Sequence, residues 1–124
     1  MLVLKFYNRW YKYLLFFTLA YTLVGSVVGL MVRFRLVYIV YIFLCVLIVV
    51  YLVHPSSYVF SAIRILAFLH LFSGSLILIG YFFYLLVNSL QKIVIANLVL
   101  SGVHVFLGFV LAKYLKKSIG VIYK

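Results

Sequence analysis

The chain has 124 residues, of which 70% are hydrophobic, and it carries 11 Lys and Arg but no Asp or Glu. Water-soluble domains are about half apolar, so this composition predicts a protein whose solvent is lipid. Without carboxylates the chain can form no Ser-His-Asp triad, no acid–base carboxylate pair and no carboxylate cage for Mg²⁺ or Ca²⁺. These absences argue against a freestanding enzyme.

The formal charge of +11 is also typical of nucleic-acid-binding proteins. Here, however, the basic residues cluster at the ends of apolar runs, which is where membrane proteins keep them. We therefore expect no nucleic-acid partner, and RNA binding by an unusually apolar ribosomal protein is the alternative. Cys45 lies alone within an apolar run, so the chain predicts no disulfide and no metal site, and Cys45 is interpreted as a small core residue.

The N-terminal segment Met1–Tyr13 mixes basic residues with Tyr and Trp. Lys5, Arg9 and Lys12 lie among tyrosine and tryptophan rings, a composition typical of segments at the membrane surface. We predict a short interfacial helix here that leads into the first membrane span.

Four apolar runs follow, and each approaches or exceeds the roughly 20 residues that cross about 30 Å of hydrocarbon as a helix. None alternates apolar with polar residues as barrel strands do, so helices are expected. The links between the runs are short, which predicts antiparallel neighbours. The prediction is one all-α transmembrane domain over residues 1–124, with spans at residues 14–32, 36–53, 58–87 and 93–112.

The distribution of Lys and Arg predicts the orientation of the bundle. An even number of spans puts both termini on one side, which would carry Lys5, Arg9, Lys12, Lys113, Lys116, Lys117 and Lys124. The other side would carry only Arg33, Arg35 and Lys92, while Arg64 lies inside the third run. The more basic side is expected to be the matrix or cytoplasmic side.

Each run has one face of small or polar residues, which should turn toward protein while the other faces meet lipid. In chain order these faces hold Thr18, Thr22, Gly25 and Gly29; Tyr38, Tyr41 and Cys45; Ala67, His70, Ser73 and Gly74; and Asn97, Ser101, His104 and Gly108. Plain interhelical packing explains such faces. A polar path or cofactor pocket explains them too, because ionisable side chains at membrane depth are costly and tend to be functional.

Two segments resemble the small NuoK-like membrane subunit of respiratory complex I, over roughly Leu14–Val87. Gly29-Leu30-Met31-Val32-Arg33-Phe34-Arg35-Leu36 is similar to the end of that family's first span. Ala67-Phe68-Leu69-His70-Leu71-Phe72-Ser73-Gly74 is similar to its third span, with His70 where the family has a glutamate. Leu44 stands where a second family glutamate would fall, and a fourth span is extra. The resemblance implies a subunit that supports proton translocation or the structure of the membrane arm.

The segment His70-Leu71-Phe72-Ser73-Gly74 also resembles part of the quinone-site helix of succinate dehydrogenase membrane anchors. That resemblance implies quinone contact by His70 and Ser73, or haem b held between His70 and His104.

The composition is rich in Leu, Val, Ile, Phe and Met, which is typical of genes in small organelle genomes that retain respiratory-chain membrane subunits. We therefore expect a multi-pass protein of the mitochondrial inner membrane with both termini in the matrix. Its expected role is in proton-pumping NADH:ubiquinone oxidoreductase, with His70, His104 and Tyr41 as a candidate proton path. Its expected partners are other membrane subunits and lipids, including cardiolipin, and it should bind no cofactor alone. A quinone or haem anchor and a structural subunit of another inner-membrane complex are the alternatives.

Overall fold

The protein is a bundle of four helices, seen in a computed structural model that describes residues 1–88 and 92–123. The helices are α1 (Arg9–Val32), α2 (Leu36–Val53), α3 (Val59–Val87) and α4 (Lys92–Ser118). All four are long and apolar enough to cross a membrane. The predicted all-α membrane bundle is therefore confirmed. The predicted link between the third and fourth spans lies partly outside the described residues.

The N-terminal segment differs from the expected interfacial helix. Leu2–Phe6 forms a strand, β1, which pairs antiparallel with a second strand, β2 (Ile119–Tyr123), at the opposite end of the chain. The apolar residues of this segment thus gain strand partners and pack on the core, whereas a surface helix would leave them in the headgroups. Asn8 then caps α1 by accepting a hydrogen bond from the Trp10 backbone N–H, so the helix itself begins at Arg9, before the predicted start of the first span at Leu14.

The helices run up and down around the bundle, and α1 contacts both α2 and α4 while α3 contacts α2 and α4. Residues 33–35 form the link at one end between α1 and α2, and residues 54–58 form the link at the other end between α2 and α3. The β1–β2 pair holds both termini at the end of the 54–58 link, which we call the terminal end. The opposite end, at residues 33–35, is called the loop end.

The tightly packed core lies in the terminal half of the bundle. Its fully buried side chains come from the first halves of α1 and α3, from α2, and from the last turns of α4: Leu15, Ile48, Ile63, Leu66, Leu111 and Leu115. β2 adds Ile119 to the same core. The loop half instead contains cavities and the more polar faces of the helices. The bundle is therefore closed at the terminal end and loosely filled at the loop end.

The α3–α4 pair makes the most extensive helix contact because two glycines let the backbones approach. A Cβ atom built at Gly108 would lie only 2.6 Å from the Ala67 carbonyl oxygen and 2.7 Å from the Leu71 nitrogen. A Cβ atom built at Gly74 would lie 3.0 Å from the Ser101 carbonyl oxygen. Any larger residue at either position would push the helices apart.

Candidate functional site

Two histidines face each other between these glycine contacts. His70 lies on α3 between Ala67 and Gly74, and His104 lies on α4 between Ser101 and Gly108. Because the helices are antiparallel and each glycine packs against the other helix, the two imidazoles meet at the centre of the contact. Their Nδ1 atoms are 2.7 Å apart, and His70 is fully buried.

The histidine pair is the middle of a four-membered hydrogen-bonded chain. The Nε2 atom of His70 lies 2.8 Å from Thr22 Oγ1, and the Nε2 atom of His104 lies 3.3 Å from Tyr21 OH. The order is therefore Tyr21, His104, His70 and Thr22, which begins and ends on α1 and passes through α4 and α3. Thr22 lies about 20 Å along α1 from Arg9, so the hydrogen-bonded chain lies deep within the length of this candidate membrane span.

Each neutral imidazole has one N–H donor and one acceptor nitrogen, so the Nδ1–Nδ1 contact has only two neutral arrangements. In one, His70 Nδ1 donates to His104, the Nε2 of His104 donates to Tyr21, and Thr22 donates to His70. In the other arrangement, Tyr21 donates to Nε2 of His104, Nδ1 of His104 donates to His70, and Nε2 of His70 donates to Thr22. The two arrangements differ only in the positions of protons, which is what a proton relay requires.

Tyr41 lies beside the chain but is not a member of it. Its ring stacks on the His70 ring with centroids 5.1 Å apart, and its hydroxyl lies 2.9 Å from Ser73 Oγ. The Ser73 hydroxyl in turn donates to the Leu69 carbonyl oxygen. Of the predicted site residues, His70 and His104 are therefore brought together directly, whereas Tyr41 and Ser73 form a neighbouring hydrogen-bonded pair.

Two cavities meet at the histidines on the loop-end side. The first, of about 550 Å³, is lined by Arg35, Ile77, Gly80, Tyr81, Tyr84, Asn97, Leu100, Ser101 and His104. The second, of about 430 Å³, is lined by Tyr21, Thr22, Gly25, Ser26, Tyr38, Tyr41, His70, Leu100 and His104. Leu100 and His104 belong to both linings, so they form the partition between the two cavities.

The histidine pair does not fit a haem or a metal ion as it stands. Metal–nitrogen bonds are about 2.0–2.1 Å long, so two nitrogens on opposite sides of one ion lie about 4 Å apart. The facing Nδ1 atoms are 2.7 Å apart and bond each other instead. Within residues 1–88 and 92–123 there is also no group of three or more metal-ligating side chains.

The small and polar faces largely turn inward as predicted. Buried members come from all four helices: Thr18, Thr22, Tyr41, Cys45, Ala67, His70, Gly74, Ser101 and Gly108. Gly25 is the exception, because it is exposed and no atom lies within 4 Å of a Cβ built there. Ser26 takes the buried position beside it, and Gly29 makes room for the Tyr38 ring.

Tyr21 was not predicted as a site residue, and Thr22 was predicted only as a member of the polar face of the first span. The sequence does hold a signal for the paired histidines. His70-Leu71-Phe72-Ser73-Gly74 and His104-Val105-Phe106-Leu107-Gly108 share the pattern His-x-Phe-x-Gly, each preceded at three residues by Ala or Ser. A small–histidine–glycine face repeated on two adjacent antiparallel helices indicates a symmetric close contact. Nothing in the sequence singles out Tyr21 from the other tyrosines.

Comparison of the chain with protein families, with curated proteins and with solved structures finds no match.

Proposed function

We propose that this chain is a proton-relay subunit of a respiratory complex in the mitochondrial inner membrane. The observation that carries the proposal is the hydrogen-bonded chain of Tyr21, His104, His70 and Thr22 inside a bundle of membrane-spanning length. Two imidazoles in series are costly to bury at this depth, and ionisable groups retained there typically mark proton or ion paths.

The relay works by reversing the two neutral arrangements. When Tyr21 donates to His104, a proton arriving at Nε2 of His104 lets its Nδ1 proton pass to Nδ1 of His70. The Nε2 proton of His70 then passes to Thr22 Oγ1 as the hydroxyl proton of Thr22 leaves to an acceptor in the smaller cavity, which Thr22 lines. One proton enters, one leaves, and both rings end in the opposite tautomer, so reorientation or reverse transfer must follow before the next passage.

The relay runs across the bundle rather than along the membrane normal, because its two ends are consecutive residues of α1. Further hydroxyls continue along the interior face of α1 toward the terminal end. Thr18 and Tyr11 are both buried there, four and eleven residues before Thr22. Each donates to a backbone carbonyl, Thr18 to Leu14 and Tyr11 to Leu111. A proton that passes on to the terminal side would have to break these hydrogen bonds. The tightly packed terminal half of the bundle is therefore the barrier to proton passage.

Among respiratory complexes, we propose the membrane arm of the proton-pumping NADH:ubiquinone oxidoreductase. The position at which the resembling family has a membrane glutamate is here His70, which is fully buried and bonded through both ring nitrogens. A titratable group at the centre of the bundle supports this proposal. Leu44, at the position of the second glutamate, packs in the apolar core, and Tyr41 lies one turn before it.

The test compares His70→Gln and His104→Gln in membrane vesicles from cells that make the chain. NADH-driven proton uptake per NADH oxidised should fall in both variants at unchanged assembly, because glutamine cannot pass a proton from one nitrogen to another. His54→Gln is the matched control, since His54 is exposed at the end of α2.

Normal pumping by both assembled variants would show that the histidines only pack, and the chain would then be a structural subunit. Affinity purification in mild detergent followed by a native gel tests the complex separately. Failure of the chain to migrate with NADH-oxidising activity would refute its assignment to that enzyme.

A further inference from the structure

The larger cavity has its mouth at the loop end and its floor at the histidine pair. Arg35 immediately precedes α2, Tyr84 lies near the end of α3 and Asn97 lies near the start of α4, so these lining residues mark the loop end. Ser101 and His104 lie one and two turns deeper along α4. The lining therefore places polar side chains at intervals from the loop end of the bundle to His104.

On the opposite side of the histidine pair, the described residues form no comparable route. A cavity of about 280 Å³ at the terminal end is lined by residues of α1 and α4 that include Tyr11 and Leu14, but by neither histidine. Leu15, Leu66 and Leu111 are completely buried in the terminal half, where the core side chains pack against each other and against the strands. Access to the relay is thus one-sided.

Arg35 is the charged side chain among the described residues that line the larger cavity, and it lies at the loop end. The sequence has no acidic side chain that could neutralise it. In a cleft with walls of low dielectric constant, a fixed charge strongly biases which ions enter, and the effect extends about one Debye length, roughly 8–10 Å. Arg33 is exposed two residues away but does not line this cavity.

We propose that the two cavities form an aqueous vestibule, open at the loop end alone, that admits water and small anions to the histidine pair and turns cations away. Water supplies the hydrogen-bonded contact that a proton needs, while metal cations that would compete for the imidazole nitrogens are excluded. The proposal concerns solute access and does not depend on proton transfer, so it and the proposed function can fail separately.

Three glycines allow a matched test by cysteine labelling. A Cβ at Gly25, Gly80 or Gly102 meets no atom within 4 Å, so a cysteine at each position leaves the packing intact. Gly80 lines the larger cavity and Gly25 lines the smaller one. Gly102 is the control because it shares a helix face with the exposed Phe106 and Phe109, a face that we expect to meet lipid. The native Cys45 is fully buried, so the unmodified chain provides the background.

Gly80→Cys and Gly25→Cys should react with water-soluble methanethiosulfonates at least about tenfold faster than Gly102→Cys, because a thiolate does not form in hydrocarbon. In sealed vesicles of known orientation, the reaction should occur only when the reagent is on the loop side. Equal reactivity of all three cysteines, no reaction at Gly80→Cys and Gly25→Cys, or labelling from the terminal side would each overturn the proposal.

The charge selectivity is tested with the anionic ethylsulfonate and the cationic trimethylammonium reagents, each normalised to its rate with a free thiol. Gly80→Cys should favour the anionic reagent by about tenfold at low ionic strength. Adding Arg35→Gln should abolish this preference, whereas adding Arg33→Gln should leave most of it. A preference unchanged by Arg35→Gln would refute the role of Arg35.

Discussion

At the scale of single residues, both ring nitrogens of His70 are bonded within the bundle, one to Thr22 and one to His104. Rotation of the ring would break both of these bonds. In the part of the chain that the structure describes, no buried side-chain nitrogen or oxygen lacks a partner. The polar centre is therefore fully satisfied, and the removal of any one partner should have a measurable cost.

Thr22→Val should lower the free energy of unfolding by about 1–3 kcal/mol, because it leaves the buried Nε2 of His70 without a partner. Thr22→Ser is the control, since it keeps the hydroxyl. The measurement is equilibrium unfolding in mixed detergent micelles. Equal stability of the Val and Ser variants would show that the hydrogen bond contributes little.

The histidine pair should also have a spectroscopic signature. Nitrogen NMR of the protein in lipid should show one protonated and one unprotonated Nδ1 joined by a hydrogen bond, because the 2.7 Å contact allows a single proton between them. His104→Gln should remove this signal while leaving the resonances of His54 unchanged. Two protonated Nδ1 atoms in the wild-type protein would contradict the arrangement.

At the scale of helices and strands, the α3–α4 contact depends on the two glycines. Gly108→Ala should destabilise the protein by about 1–3 kcal/mol, because its methyl group would meet the Ala67 carbonyl at 2.6 Å. Gly102→Ala, on the same helix with open space, should be neutral or slightly stabilising. Thermal unfolding in detergent separates the two, and equal melting temperatures would disprove the close contact.

The β1–β2 register can be tested by cross-linking. Val3 lies opposite Ile122, and directly opposed residues of antiparallel strands are close enough for a disulfide. The double variant Val3→Cys/Ile122→Cys should oxidise to an internally cross-linked chain. Val3→Cys/Val121→Cys shifts the partner by one residue to the other face of the sheet, so it should cross-link far less.

At the scale of the whole molecule, the paired strands place both termini at one end of the bundle. The basic residues Lys5, Arg9, Lys12, Lys113, Lys116 and Lys117 belong to this end. We therefore expect tags at either terminus to be digested by protease from the matrix side of the inner membrane and protected from the other side. Digestion of the two tags from opposite sides of the membrane would contradict the fold. Digestion of both tags from the side opposite the matrix would contradict only the predicted orientation.

The apolar runs alone predict the number of helices, because a lipid environment demands long helical segments. The inward-facing stripes also predict that His70 is buried. The strand pairing could not be predicted, since Leu2–Phe6 finds its partner more than a hundred residues away and its composition suits a membrane-surface helix equally well. The contact of Tyr21 with His104 could not be predicted from the sequence either, because it depends on how α1 is rotated against α4.

The sheet joins the first and last helices, so the chain forms a closed ring at one end of the bundle. The first and last helices cannot separate at the terminal end without breaking the hydrogen bonds between the two strands. Any change in the angles between the helices must therefore take place about the terminal end. The largest displacement then falls on the far ends of the helices, around Arg35 and Tyr84. Breathing motions of the bundle would therefore widen the mouth above the histidines while leaving its base tight.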